Sequence, residues 1–406
     1  MAKREINKIL FVCGEPPYPP INGVRIPTWN MIKTLRELCQ IEVLLVSDID
    51  DIMINNDDAK KDQKYKCGFF HYTKQYNIVV KLFMFLTTRS PSYALKKPDK
   101  DELTNFADRV SSINPDVVIF DAEWLGLFAD GVPEGVYKVI SPNDSISLAL
   151  SNELGFKIHK RMPKRIFTYL NYKKSIAFEK SIYSKFDLCH FVSSVDEEYV
   201  RKMESGLNTF VSPNGVDSDY FNDNMTTYPS ACNVIFVGAL MGGNLIYIKN
   251  FIANVWVKLK EKYPSIKLTL VSRVDPGKAF REKCKDFDIE IMTGVNDLRP
   301  LYRTHGLVLS PVEKVCGILN KVLEGMAMSR VVIGFSSGFT GTVNAEHGRH
   351  YLCAKTAAGL FDLFCEVYEG SYDLERIASE ARILVEEKYN WDRLVRGFYY
   401  KIEGAM

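Results

Sequence analysis

Residues 311–346 read PVEKVCGILNKVLEGMAMSRVVIGFSSGFTGTVNAE. The stretch opens at the end of an apolar run, Gly306–Val312, turns at Cys316–Gly317 and enters a helical pattern. Val322, Leu323, Met326 and Ala327 recur at helical spacing and face a core. Lys321 and Glu324, three residues apart, share a different face near the helix start. A second apolar run, Val331–Phe335, ends in a loop of Ser, Gly and Thr. The pattern predicts a strand–turn–helix–strand unit with its polar groups at the strand C-terminal ends, where open α/β sheets take ligands. Lys321 sits in a first helical turn, where the positive end of the macrodipole disfavours a cation. An anion such as a diphosphate docked there reverses that balance. The competing account is a solvated Lys321–Glu324 ion pair contributing only about 0.2–0.5 kcal/mol.

Working outward, 406 residues with 46% apolar and 25% charged residues are ordinary for a globular protein of two or three domains. A formal net charge of +2 gives no global pull toward nucleic acid. The nine cysteines are scattered and form no C-x-x-C pair, which argues for reduced thiols in a cytoplasm and against a disulfide frame or a zinc site. The opening MAKREINKILFVCG leads straight into a strand, without the pattern of a signal segment. No apolar run approaches the ~20 residues of a membrane span.

The N-terminal half repeats strand and helix. Ile9–Val12 precedes GEPPYPPINGVRIPTWN, whose prolines exclude helix until about Ile26. Gly23 beside Arg25 offers backbone amides and one guanidinium to a crevice. Strand 41–47 ends in an acidic loop whose Asp48–Asp50 reads as a solvated D-x-D, and residues 52–100 read as irregular and polar with one apolar patch. Strands at 116–120 and 136–140 are followed by Asp121, Glu123 and Asp144, candidate acceptor-site carboxylates that turn formation or helix capping would also explain. Lys157–Lys174 carries seven Lys or Arg and no acid, interleaved with Ile, Phe, Tyr and Leu. After PNGVDSDYF and a linker at 221–230, the same alternation restarts: NVIFVGALMGGN, a helix over 245–262 with Trp256 inward, a strand ending at Arg273, and TGVNDLRPLY with Arg299. Gly238, Gly242 and Gly243 permit close backbone approach to phosphates. Strand–helix alternation in both halves predicts two parallel sheets covered by helices.

The block GILNKVLEGMAMSRVVI, in register with VGALMGGN, LVSR, TGVNDLRPLY and PNGVD-x-x-x-F, resembles the retaining glycosyltransferases of family 4, in the branch with G-I-x-N-K-V-L-E-A-M-A. The resemblance implies a GT-B architecture: two Rossmann-like domains facing a cleft, with a C-terminal helix crossing back to the first. The domains expected are 1–220 with 389–406 for the acceptor, and 231–388 for a nucleotide diphosphate sugar. It implies donor binding by Gly317, Lys321 and Glu324, with Glu324 on the ribose; Gly238, Gly243, Arg273, Arg299 and Asn320 are the further donor-binding candidates. Lys321, Arg273 and Glu324 are the catalytic candidates, and Gly23, Arg25, Glu123 and Asp144 the acceptor-binding ones. Cys316 departs from the family's first Glu, and the family's R-x4-K pair is absent after Gly238. Neither a cofactor nor a metal is expected, and the activity implied is sugar transfer to a glycan or lipid-linked acceptor in bacterial surface polysaccharide synthesis. Alternatives that keep the architecture are a sugar-nucleotide 2-epimerase and a non-catalytic partner. The segment Lys157–Lys174 adds the expectation of an anionic membrane surface as partner, at the inner face of the membrane.

Overall fold

The computed structural model describes residues 5–20, 23–47, 66–72, 76–155, 162–223, 227–314 and 317–406. Asp48, Asp50 and Cys316, and Lys157, Lys160 and Arg161 of the basic segment, lie outside the described residues. The chain forms two compact units, Met1–Pro213 joined by Trp391–Met406, and Asn214–Asn390.

The first unit is built on seven strands: β1 (Lys8–Cys13), β2 (Gln40–Ser47), β3 (Lys66–His71), β4 (Val117–Phe120), β5 (Tyr137–Ile140), β6 (Leu188–Phe191) and β7 (Thr209–Val211). All pair in parallel in the order β3-β2-β1-β4-β5-β6-β7. Successive side chains of β1 leave on opposite faces. Leu10 and Val12 join Phe106, Val110, Phe120 and Phe128 on one side. Ile9 and Phe11 meet Ile32 and Leu35 on the other. Burial on both faces explains why the central strands read as unbroken apolar runs.

The tail closes this second layer. In the helix Trp391–Glu403, Val395, Phe398, Tyr399 and Ile402 form one buried stripe and pack into the cluster around Ile9 and Phe11. An Arg396–Glu37 ion pair at 2.7 Å fixes the edge of that contact.

The second unit holds β8 (Asn233–Val237), β9 (Lys267–Ser272), β10 (Ile289–Thr293), β11 (Leu307–Ser310), β12 (Val331–Phe335) and β13 (Leu352–Ala354). These are again all parallel, in the order β10-β9-β8-β11-β12-β13. The helical stretch after β8 runs Gly242–Phe251, passes through a π-type turn at Ile252–Trp256 and resumes at Val257–Lys262. Trp256 is fully buried and donates its indole N–H to Phe287 O at 3.3 Å, so its one polar atom is satisfied.

Both sheets reverse strand order between their first and fourth strands, β1/β4 and β8/β11. Loops leaving the C-terminal ends there are where doubly wound sheets bind ligands.

Two stretches differ from the sequence expectation. Within 52–100, read as irregular, stand β3 and the helix Ile78–Thr87. β3 owes its place to pairing with β2, a non-local contact, and the helix is apolar nearly all round, so it shows no periodicity. The crossing between units falls at Pro213–Asn214, so residues 214–223 belong to the second unit. Arg382 holds them there, donating to Phe221 O at 2.5 Å and Ser218 O at 2.9 Å. Arg330, almost fully buried, pairs with Asp223 and donates to Tyr302 O at 2.6 Å.

Candidate functional site

In the second unit the switch point lies between the loop after β8 and the turn after β11. The β8 loop is pinned to its neighbour β9: Gly238 N donates to Val271 O at 3.0 Å, and Leu240 N to Ser272 Oγ at 2.9 Å. The chain then enters the helix Gly242–Phe251 with Gly242 at φ +52°, a conformation that glycine adopts without strain. Gly243 follows as the helix's second residue, with space for a small side chain beside Tyr247. Across the switch point, Gly317 turns the chain at φ +67° into the helix Asn320–Ala327. Gly341 lies so close that a Cβ there would stand 2.6 Å from Gly317 O, which holds that turn in place.

Lys321, in the first turn of this helix, reaches back to the β8 loop. Its Nζ sits 4.4 Å over the Phe236 ring and 3.4 Å from Asn244 Oδ1. A side chain at Gly238 would press against both Phe236 and Lys321 Nζ, so the glycine makes room for the ammonium. Removal from water pulls the Lys321 ammonium down from 10.5 to about 8, partly offset by the Glu324 carboxylate. The simple Lys321–Glu324 ion pair is not formed; Glu324 Oε2 instead accepts from the buried Tyr302 hydroxyl at 3.3 Å. Burial raises Glu324 above the usual carboxylate range, against the lowering effects of Tyr302 and Lys321. Asn320 Oδ1 accepts from Asn214 Nδ2 at 3.3 Å, tying the helix start to the beginning of the unit.

The two arginines stand differently. Arg299 is engaged: its guanidinium pairs with Asp297 at 2.8 Å and lies 4.1 Å over the Tyr220 ring. It holds Asp297 down to about 2. Arg273 is exposed, one residue past the Ser272 that anchors the β8 loop. Lys321 is therefore the cation that these elements bring to the switch point itself.

In the first unit, the loops after β1 and β4 meet at Asp121. This carboxylate accepts from Gly14 N at 3.1 Å and is buried. Burial lifts it from 3.8 to about 7, the hydrogen bonds from Gly14, Cys13 and Thr28 notwithstanding. Arg25 opens the first helix and pairs with Glu15 at 3.0 Å. Gly23 is exposed, and a Cβ there would meet nothing within 4 Å. Asp144 is exposed. Glu123 is buried, and its Oε1 has no hydrogen-bond partner. Burial and the neighbouring Glu179 push its carboxyl well up. Glu179, buried in turn, accepts from Ser147 N and Ser147 Oγ, both at 2.7 Å, and from Ser145 Oγ at 3.0 Å.

Three residues at the second unit's switch point escape a reading by motif: Phe236 under the ammonium, Asn244 beside it and Tyr302 behind Glu324. Tyr302 stands in the TGVNDLRPLY block, but nothing in its spacing ties it to a glutamate 22 residues on.

Residues 231–369 match the family described as Glycosyl transferases group 1. The matched residues lie within the second unit. No protein of curated function matches the chain. Among solved structures, Anabaena HepE in complex with UDP is 14% identical over 98% of this chain and 100% of its own, with a TM-score of 0.67. Sucrose-phosphate synthase from Thermosynechococcus elongatus is 13% identical over 98% and 100%, with a TM-score of 0.70. The pneumococcal O-GlcNAc transferase GtfA in complex with UDP and GlcNAc is 10% identical over 99% of each chain, with a TM-score of 0.65. The fold is thus the GT-B fold.

Proposed function

We propose that the chain is a glycosyltransferase that moves a sugar from a nucleotide diphosphate sugar to a glycan or lipid-linked acceptor, with retention and without a metal. The observation that carries this reading is Lys321: an ammonium drawn out of water, in the first turn of one helix and against the N-terminal turn of another, without a carboxylate in hydrogen bond to it. Such a group is destabilised until an anion arrives. A diphosphate supplies the anion, and backbone amides of both helix starts supply further donors. As the bond from the sugar C1 to the diphosphate oxygen breaks, negative charge grows on the leaving group where Lys321 stands. Glu324 takes the ribose hydroxyls, and Tyr302 orients it. Gly238, Gly243, Gly317 and Asn320 shape the backbone around the donor, and the exposed Arg273 adds a cation at the rim.

In the first unit, Asp121, held near neutrality, is the carboxylate suited to exchange a proton with an acceptor hydroxyl. The structures of HepE and GtfA, which carry UDP, favour a uridine nucleotide as the first to test. The test is a thermal-shift panel of nucleotide diphosphates and their sugars, because a ligand that binds the folded state raises stability by RT ln(1 + [L]/Kd). A shift with one nucleotide family, followed by sugar transfer or slow donor hydrolysis, is the expected outcome. A flat panel overturns the reading, and binding without any turnover reduces the chain to a non-catalytic partner.

A further inference from the structure

A groove on the second unit runs between the helix Gly242–Phe251, with the π-type turn that follows it, and the helix Lys278–Lys285. Its volume is about 270 Å³. Phe280 and Cys284, one helical turn apart, are buried against the core and form its floor with Ile252. Burial pushes the Cys284 thiol up to about 11, so the floor is neutral there. Ala279 and Lys283, also four residues apart, stand on the open side of the same helix, and both are exposed. The short side chain of Ala279 leaves open the space that a longer one would fill. Across the groove, exposed Lys249 carries its Nζ 5.4 Å over the Phe280 ring. Ile252 opens the π-type turn, in which Val257 N donates back to Ile252 O. Single π-type turns inside helices recur at functional sites.

We propose that this groove binds a small anion with an apolar body, a carboxylate or phosphate carried on a short hydrocarbon group. Charge and size select that occupant. Lys278 pairs with Glu282 at 3.9 Å and Arg281 with Asp275 at 2.8 Å, whereas among the described residues neither Lys249 nor Lys283 stands in an ion pair. A neutral ligand leaves both ammonium groups unanswered, and a bare inorganic anion leaves the apolar floor wet. The volume equals about nine waters at ~30 Å³ each, near the lower end of the ~300–1,000 Å³ of small-molecule sites. It is too small to seat a macromolecule, whose stable interfaces bury ~800 Å² on each side. Nor is it part of the switch point, where Asn244 meets Lys321. Lys249 follows Asn244 by five residues, which is about 7.5 Å along the helix and about 140° around it. The groove is a second site on the back of that helix, and its ligand does not depend on what the switch point binds.

The experiment is titration calorimetry on the full chain with octanoate and octyl phosphate, against octanol for the apolar body alone and acetate for the head alone. At least one of the two amphipathic anions binds, and octanol and acetate bind more weakly than it does. Binding weakens as salt rises, because the lysines are exposed and screened. The double variant Lys249→Ala, Lys283→Ala lowers the affinity about two- to thirtyfold, the range for two exposed charge contacts. Ala279→Trp fills the groove and abolishes binding. Both variants keep the wild-type melting temperature and the wild-type response to nucleotide, so loss of this site and loss of the donor site are distinguishable. Heat from neither anion overturns the proposal. So does octanol binding as tightly as the anions, or undiminished binding of the anions to both variants, since the ligand then lies elsewhere.

Discussion

Replacing Lys321 by Met should make the unliganded protein more stable and the nucleotide-bound protein less so. The ammonium is drawn down from 10.5 to about 8 by desolvation. At about 1.4 kcal/mol for each tenfold change in proton affinity, carrying that charge costs the folded state about 3 kcal/mol at neutral pH. Met fills a similar volume without the charge, so Lys321→Met gains up to that amount in urea denaturation at pH 7. The pH dependence has a definite sign. The unfolded chain keeps the lysine proton up to 10.5, while the folded chain sheds it from about 8. In that window the unfolded state binds more protons, so wild-type stability climbs with pH and the gap to the variant closes. Below about pH 8 the gap is constant. With a nucleotide diphosphate the order inverts, because the variant loses a charge-assisted contact of about 1.5–3 kcal/mol, or ten- to hundredfold in affinity. The assay is denaturation of both proteins with and without nucleotide, across pH. A variant that is less stable than wild type when unliganded, yet binds nucleotide equally well, refutes both the buried-charge account of Lys321 and its place in the donor site.

Glu324→Gln should weaken nucleotide binding about ten- to hundredfold, and Tyr302→Phe by about tenfold or less, read by calorimetry, since the hydroxyl acts through the carboxylate. Asp121→Asn should abolish the acidic limb of the rate profile near pH 7; its stability relative to wild type should rise between about pH 4 and 7, because the raised carboxyl favours the folded state only while protonated. Arg330→Leu should cost up to about 3–5 kcal/mol by breaking the buried pair with Asp223, whose other cation, Arg303, stands at 4.0 Å, with little change in donor specificity beyond that loss. Transfer should survive excess chelator; abolition restored by manganese or magnesium would move attention to Asp48 and Asp50.

The sequence by itself determined what depends on local pattern. Continuous apolar strands bounded by turn residues marked both sheets as parallel and buried, and the glycines marked the turns at the second unit's switch point. The last helix returning to the first unit was an expectation of the resemblance, not of a pattern read in the tail. Tertiary structure decided what depends on distant neighbours. It paired β3 with β2, drew residues 214–223 into the second unit through Arg330 and Arg382, and set Tyr302 behind Glu324. It also separated look-alike charges. Arg299 is neutralised by Asp297, Glu123 is buried beside Glu179, and Lys321 is left over the Phe236 ring with its burial only partly offset by Glu324. A charge in sequence has only an identity and a spacing. Its proton affinity and its use are set by burial and by partners from other strands, and these exist only once the chain has folded.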